Sequence, residues 1–152
     1  MLDHERYMRR AIELTANVPQ FPFAAVIVDQ GSGEILAEGW NKASINPTWH
    51  GEIDAINHLA LSGCDWKVIP LALYTTAEPC PMCQGAIHWT GIETVGWGSS
   101  IRFLQQLGWK QIDMLAEEVA HRTPFSKCTF IRGVLEDECN SLFEAASRKA
   151  CP

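Results

Sequence analysis

A Cys-x-x-Cys pair stands where an apolar strand ends and a helix begins. Residues 70–77, PLALYTTA, form an apolar run of strand length, and AEPCPMC at 77–83 follows with no spacer. Pro81 suits the first position of a helix, where its missing N–H costs little, so a helix is predicted from Pro81 to about Thr90. IETVGWG at 92–98 reads as a further strand. A strand–helix–strand succession predicts a parallel pair joined by a crossover helix. That unit draws the chain towards a layered α/β fold.

The remaining pattern agrees. Asp3 can cap a helix over 4–16, whose apolar Tyr7, Met8, Ala11, Ile12 and Leu14 recur near helical spacing. FAAVIVDQ reads as a buried strand, and Gly31-Ser32-Gly33 turns it back into EILAEGW as a hairpin. After the polar NKASINPTW, residues 51–62 return to helical period. Helices are predicted at 101–107 and 113–121, and a strand at 128–134. A terminal helix would carry Leu135, Cys139, Leu142, Phe143 and Ala146 on one face, with acidic Glu136–Glu138 early and Arg148 and Lys149 late, as the dipole favours. With no linker, repeat or low-complexity tract, 1–152 reads as a single domain.

Composition narrows the class. A chain of 152 residues can bury a substantial core, and 47% hydrophobic with 20% charged residues is ordinary for a globular protein. No apolar run reaches the roughly 20 residues a bilayer needs, and MLDHERYMRRAIELT lacks a signal-peptide pattern, so a cytoplasmic protein without membrane contact is expected. A net charge of −6 with no long Lys/Arg cluster argues against nucleic acid as the main partner. Cys64, Cys128, Cys139 and Cys151 lie scattered in apolar contexts and read as buried thiols, not a disulfide scaffold.

For Cys80 and Cys83 three chemistries compete: redox, structural zinc and catalytic zinc. A Cys-x-x-Cys at a helix start lowers the first thiol's pKa, which redox proteins exploit. Against that stands a third ligand candidate, His50, at the opening of the predicted helix over 51–62. In a parallel sheet the helix N-termini lie at the carboxyl ends of the strands, so His50, Cys80 and Cys83 can converge. Two thiolates and one imidazole select zinc. A structural site needs a fourth protein ligand, but His58, His88 and Cys64 are poorly placed, and the two histidines read as surface or pocket-edge residues. Three ligands leave a position for water, and Glu52, two residues from His50, can move its proton. Alone, Glu52 would be an ordinary first-turn glutamate complementing the dipole. Beside three ligands, the general acid–base reading prevails.

His50-Gly51-Glu52 followed by Pro79-Cys80-Pro81-Met82-Cys83 resembles the H-x-E…P-C-x-x-C signature of the zinc-dependent cytidine-deaminase-like superfamily. PFAAVIVD, GWNKAS, HGEIDAI, LYTTAEPCPMCQGAIHW and HRTPF are similar, in order, to segments of the small bacterial guanine deaminases. GVLEDECNSLF has counterparts in several branches, including the tRNA adenosine deaminases. The chain departs from the guanine branch at QFPFAAV, where that branch is glycine-rich, and at Gly108-Trp109-Lys110-Gln111, where it carries an acidic pair.

The resemblance implies a three-layer α/β/α fold around a central mixed, mostly parallel five-stranded sheet. It implies one Zn2+ held by His50, Cys80 and Cys83, with Glu52 as the catalytic proton carrier. It implies substrate contacts at Asn41 and Phe23, at Ala77 and Glu78, and at Trp89. For Asn41 a turn or cap role is an equal reading, and Phe23 and Trp89 would otherwise be core residues. The implied reaction is hydrolysis of an amino-heterocycle, with guanine going to xanthine and ammonia. The alternatives are cytosine or another nucleobase or nucleoside, a tRNA adenosine, or a noncatalytic zinc-binding module. The family also implies a homodimer, with exchange of the C-terminal segment left open.

Overall fold

Strand β3 (Leu71–Ala77) is buried at every residue, as an apolar run covered on both faces must be. It is the middle of a five-stranded sheet ordered β2-β1-β3-β4-β5, with β1 at Ala24–Asp29, β2 at Ile35–Trp40, β4 at Thr94–Ser99 and β5 at Thr129–Ile131. β1 is antiparallel to both neighbours, whereas β3, β4 and β5 are mutually parallel. Four strands therefore point one way and β1 alone opposes them, which is the mixed, mostly parallel sheet expected.

The computed structural model describes residues 2–150, with side chains to Arg148, so the expectations for Lys149 and Cys151 lie outside the described side chains. Its helices are α1 (His4–Leu14), α2 (Gly51–Leu61), α3 (Pro81–Thr90), α4 (Ile101–Gln106), α5 (Ala116–His121) and α6 (Glu136–Ala150). Alternation along the strands divides the core into two layers. Ala25, Ile27, Leu71, Leu73, Val95 and Trp97 face Ala55 and Leu59 of α2, Ile87 of α3 and Ala116 of α5. Val26, Val28, Ala72 and Tyr74 face Tyr7, Met8 and Ala11 of α1 and Cys139 of α6. The result is the three-layer α/β/α architecture.

Three boundaries shift for local reasons. α1 ends at Leu14 and tightens into a 3-10 turn at Thr15–Asn17, where the Thr15 hydroxyl donates to the Ile12 carbonyl and the Asn17 amide to Leu14. α5 begins at Ala116, not 113, because the Glu118 carboxylate accepts the Leu115 N–H and closes that end. β5 stops at Ile131, since Gly133 (φ 70°) and Leu135 (φ 49°) bend the chain into α6.

Close backbone approach sets the height of α2 over the sheet. A Cβ added to Gly39 would lie 2.3 Å from the Ala55 nitrogen, and one on Gly51 would lie 2.8 Å from the Phe23 carbonyl oxygen. Only glycine lets β1 and β2 touch the helix that carries His50 and Glu52.

Candidate active site

His50 is the residue before α2, and Cys80 is the residue before α3, both with extended backbone. Because β2 and β3 run in the same direction, both helices open at the same edge of the sheet, and the strand-to-helix turns meet there. The His50 Nδ1 lies 3.6 Å from the Cys80 Sγ and 3.6 Å from the Cys83 Sγ, and the three ligand atoms all fall within 4.8 Å of one another. A tetrahedral zinc with Zn–N near 2.0 Å and Zn–S near 2.3 Å demands N···S edges of about 3.5 Å. The donor set fits the ion in type and in spacing.

The electrostatics point the same way. The Cys80 thiol is pushed down to about 4, first by a hydrogen bond from Cys83 and also by one from His50. Cys83 goes the opposite way, raised well above its usual range by Cys80 and by burial. Two thiols sharing one proton divide in this manner, and a divalent cation at their centre ionises both. His50 is raised, chiefly by Cys80.

Glu52 is 4% exposed and lies on the first turn of α2. The Thr75 hydroxyl, from the middle of the sheet, donates to its Oε1 at 2.5 Å. Burial pushes the Glu52 carboxyl above its ordinary range, partly opposed by hydrogen bonds from Cys83 and Thr75. The neighbouring Thr76 faces the other way, donates to the Pro22 carbonyl at 2.7 Å and accepts the Ala24 N–H at 3.2 Å. Adjacent threonines on one strand thus hold the candidate acid–base and the segment carrying Phe21 and Phe23.

A cleft of about 510 Å³ opens over His50, Glu52 and Cys80. Phe21, Phe23 and Trp109 form an aromatic side, with Phe23 and Trp109 edge to face at 5.6 Å. Asn41 also lines the cleft; its Oδ1 accepts the Ala43 N–H at 3.0 Å, and its Nδ2 donor has no partner among the described bonds. Of the expected substrate contacts, Phe23, Asn41 and Glu78 line this cleft. Ala77 lies behind it, 1% exposed, packed with Leu104 and Phe143. The Glu78 carboxylate is turned inward, with both oxygens accepting backbone N–H groups. Trp89 stands apart on α3, 79% exposed and paired with Phe125 at 4.7 Å, so it makes no contact with the cleft of its own chain.

The other histidines are placed elsewhere. His58 is exposed and bonded to the Glu38 carbonyl. His88, expected at the surface or a pocket edge, is 3% exposed and lies between Gln84 and Ser126. Trp109, Lys110, Gln111 and Ile112 also line the cleft, and sequence reasoning gave them no role in the site. Their sequence signals were the departure from the guanine branch's acidic pair at Gly108-Trp109-Lys110-Gln111 and an aromatic residue in a stretch with no regular period.

Residues 1–99 match the family described as the cytidine and deoxycytidylate deaminase zinc-binding region. The chain belongs to this family. It is a zinc-dependent, hydrolytic C–N deaminase, and His50, Cys80 and Cys83 form the site at which the ion fits. The deaminase is 34% identical over 140 residues to the guanine deaminase of Bacillus subtilis, covering 84% of this chain and 87% of that one. It is 30% identical over 156 residues to the tRNA-specific adenosine deaminase of the same organism, covering 98% of this chain and 91% of that one. Among solved structures, a variant of the protein NE0047 in complex with 8-azaguanine superposes with a TM-score of 0.83 at 26% identity, over 98% of this chain and 86% of that one.

Proposed function

We propose that this deaminase hydrolyses the exocyclic amine of a free nucleobase, with guanine going to xanthine and ammonia, and that residues 1–152 act as one catalytic domain. The observation that carries the reading is a buried carboxyl, Glu52, held beside three converging zinc ligands at the floor of an aromatic-sided cleft. Guanine is named because the Bacillus relative is a guanine deaminase along most of its length and the NE0047 complex holds a guanine analogue.

Zinc, held by His50, Cys80 and Cys83, supplies a Lewis acid that makes water nucleophilic near neutral pH. Glu52 takes a proton from the attacking water and passes it to a ring nitrogen as the hydroxyl adds to the ring carbon; it then takes the remaining proton of that hydroxyl and gives it to the amine, which leaves as ammonia while the carbonyl forms. Burial raises its pKa, the direction that suits a carboxyl which must give a proton as well as accept one. Phe21, Phe23 and Trp109 offer flat apolar surface to a planar ring, and the Asn41 Nδ2 offers it a donor. Thr75 steers the Glu52 carboxyl and leaves its other oxygen for chemistry.

The exposed Trp89–Phe125 pair supports a homodimer, because paired aromatics at the surface suit an interface. A monomer by light scattering would refute it. The cytoplasm, where free nucleobases arise, is the proposed compartment, and cell fractionation tests it.

Ammonia release from the zinc-loaded protein against guanine, guanosine, cytosine, adenine and cytidine tests the substrate. Turnover of guanine with an inert Glu52→Gln variant that keeps its zinc is the expected result. Deamination of tRNA adenosine alone would favour the second reading, which the similarity to the Bacillus tRNA enzyme supports and the net charge of −6 opposes. Full activity of Glu52→Gln would overturn the mechanism.

A further inference from the structure

Two residues before Cys80, Glu78 turns its carboxylate into the starts of α4 and α5. It is 7% exposed and belongs to none of the described ion pairs. A carboxylate so placed needs compensation. Its Oε1 accepts the N–H of Ile101 at 3.1 Å, and its Oε2 accepts the N–H of Ala116 at 2.9 Å. Ile101 is the first residue of α4 and Ala116 the first residue of α5. One carboxylate therefore closes two helix starts at once, each with an otherwise orphan donor.

The chain between those two contacts carries one side of the cleft. After α4 ends at Gln106, Trp109, Lys110, Gln111 and Ile112 line the cleft before α5 begins. This segment has no strand or helix of its own, and Gly108 sits at φ 88°. Its packing is concentrated at Leu107 and Trp109, against Phe23 and Phe143. Glu78 is itself tied to β4, since its N–H donates to the Ser99 carbonyl at 2.7 Å. Both ends of the loop thus hang from one side chain on the strand-to-helix turn that leads into Cys80.

We propose that Glu78 is a positioning residue: its carboxylate joins the starts of α4 and α5 and so holds the 109–112 side of the cleft at a set distance from the zinc ligands. Glutamine could accept only one of the two N–H groups and would turn an NH2 donor towards the other. The loop would then divide its time between a docked and a displaced arrangement, and apparent substrate affinity falls with the docked fraction. Chemistry at Glu52 and zinc would be left in place. In its kinetic readout the inference rests on the deaminase reading above; in its exchange readout it does not.

The test compares the zinc-loaded parent with Glu78→Gln and Ala116→Pro. Proline is tolerated at the first position of a helix and follows an extended Leu115 (φ −78°, ψ 154°), so it deletes one donor without touching Glu78. In Glu78→Gln, zinc per chain and kcat stay at parental values while KM rises about tenfold, the scale of one lost charge-assisted hydrogen bond. Ala116→Pro raises KM in the same direction, and the double variant falls short of the sum because both changes break one contact. Amide hydrogen exchange speeds up across 107–115 in both variants and is unchanged in α1 and β1. Unaltered KM and unaltered exchange in 107–115 would overturn the inference, and so would a fall in kcat at constant KM. Should the parent turn over no heterocycle, the deaminase reading fails while exchange still decides Glu78. Should Glu78→Gln not fold, Ala116→Pro decides it.

Discussion

The Thr75 hydroxyl donates to the Glu52 carboxyl at 2.5 Å from the central strand of the sheet, and both residues are closed to solvent. The candidate acid–base is therefore aimed by the buried central strand of the sheet, through a bond between β3 and α2. Thr75→Val keeps the shape of the side chain and removes the donor. Turnover is expected to fall about tenfold or more, with zinc content and far-UV dichroism unchanged, because a hydrogen bond to a charged group is worth about 1.5–3 kcal/mol. Steady-state ammonia release checks it, and parental kcat in the variant would show that Glu52 needs no such guide.

Zinc should stabilise the protein as well as activate it, since its ligands come from two different helix starts that the ion draws together. Removal by a strong chelator is expected to lower the melting temperature, with a loss of about 4 kcal/mol when free zinc had stood a thousandfold above its dissociation constant. Readdition should restore both melting temperature and activity. Calorimetry paired with metal analysis reads this directly; an unchanged transition after complete metal loss would contradict it.

Lys42 and Asp54 form an ion pair beneath the loop that carries Asn41 and His50. Asp54 is fully buried and also accepts the Trp49 Nε1–H at 2.9 Å and the Trp40 N–H at 3.1 Å. The Lys42 ammonium lies over the Trp40 ring at 4.5 Å. Lys42→Met leaves the carboxylate without its cation, which typically costs about 3–5 kcal/mol. Urea unfolding should show that loss, and zinc affinity should weaken with it because His50 ends the same loop.

His88 makes the stability depend on acid. Burial lowers its pKa from the usual value near 6.5, so the folded form holds the ring neutral between Gln84 and Ser126. Below the unfolded pKa the unfolded chain binds a proton that the folded chain resists, and linkage then favours unfolding. The stabilising contribution is thus fully present above about pH 6.5 and declines as pH falls through and below that value. Melting temperatures measured from pH 7.5 to 5 should drop less steeply for His88→Gln than for the parent. Parallel curves would remove His88 from the account.

Much of the fold was written in local pattern. The β1–β2 hairpin, the apolar β3, Pro81 at the head of α3 and the three-ligand set with Glu52 all depend on residues close in sequence, or on the one rule that helices open at the carboxyl ends of parallel strands. Four things could be decided only in three dimensions. Trp89, on the same helix as Cys83, turned out to face solvent beside Phe125, because helix rotation is set by what Ile87 and Cys83 bury. His88 was enclosed by Ser126, which is 38 residues away. The carboxylate of Glu78, a residue that lines the cleft, was turned into the starts of α4 and α5, and Trp109 with its neighbours was brought over the zinc ligands by a segment with no period to read. Sequence alone determined the metal ligands and the layers, since ligand chemistry and strand or helix periodicity are local. The aromatic side of the cleft was decided by tertiary structure, since it depends on where loops settle once distant donors, acceptors and apolar faces have found each other.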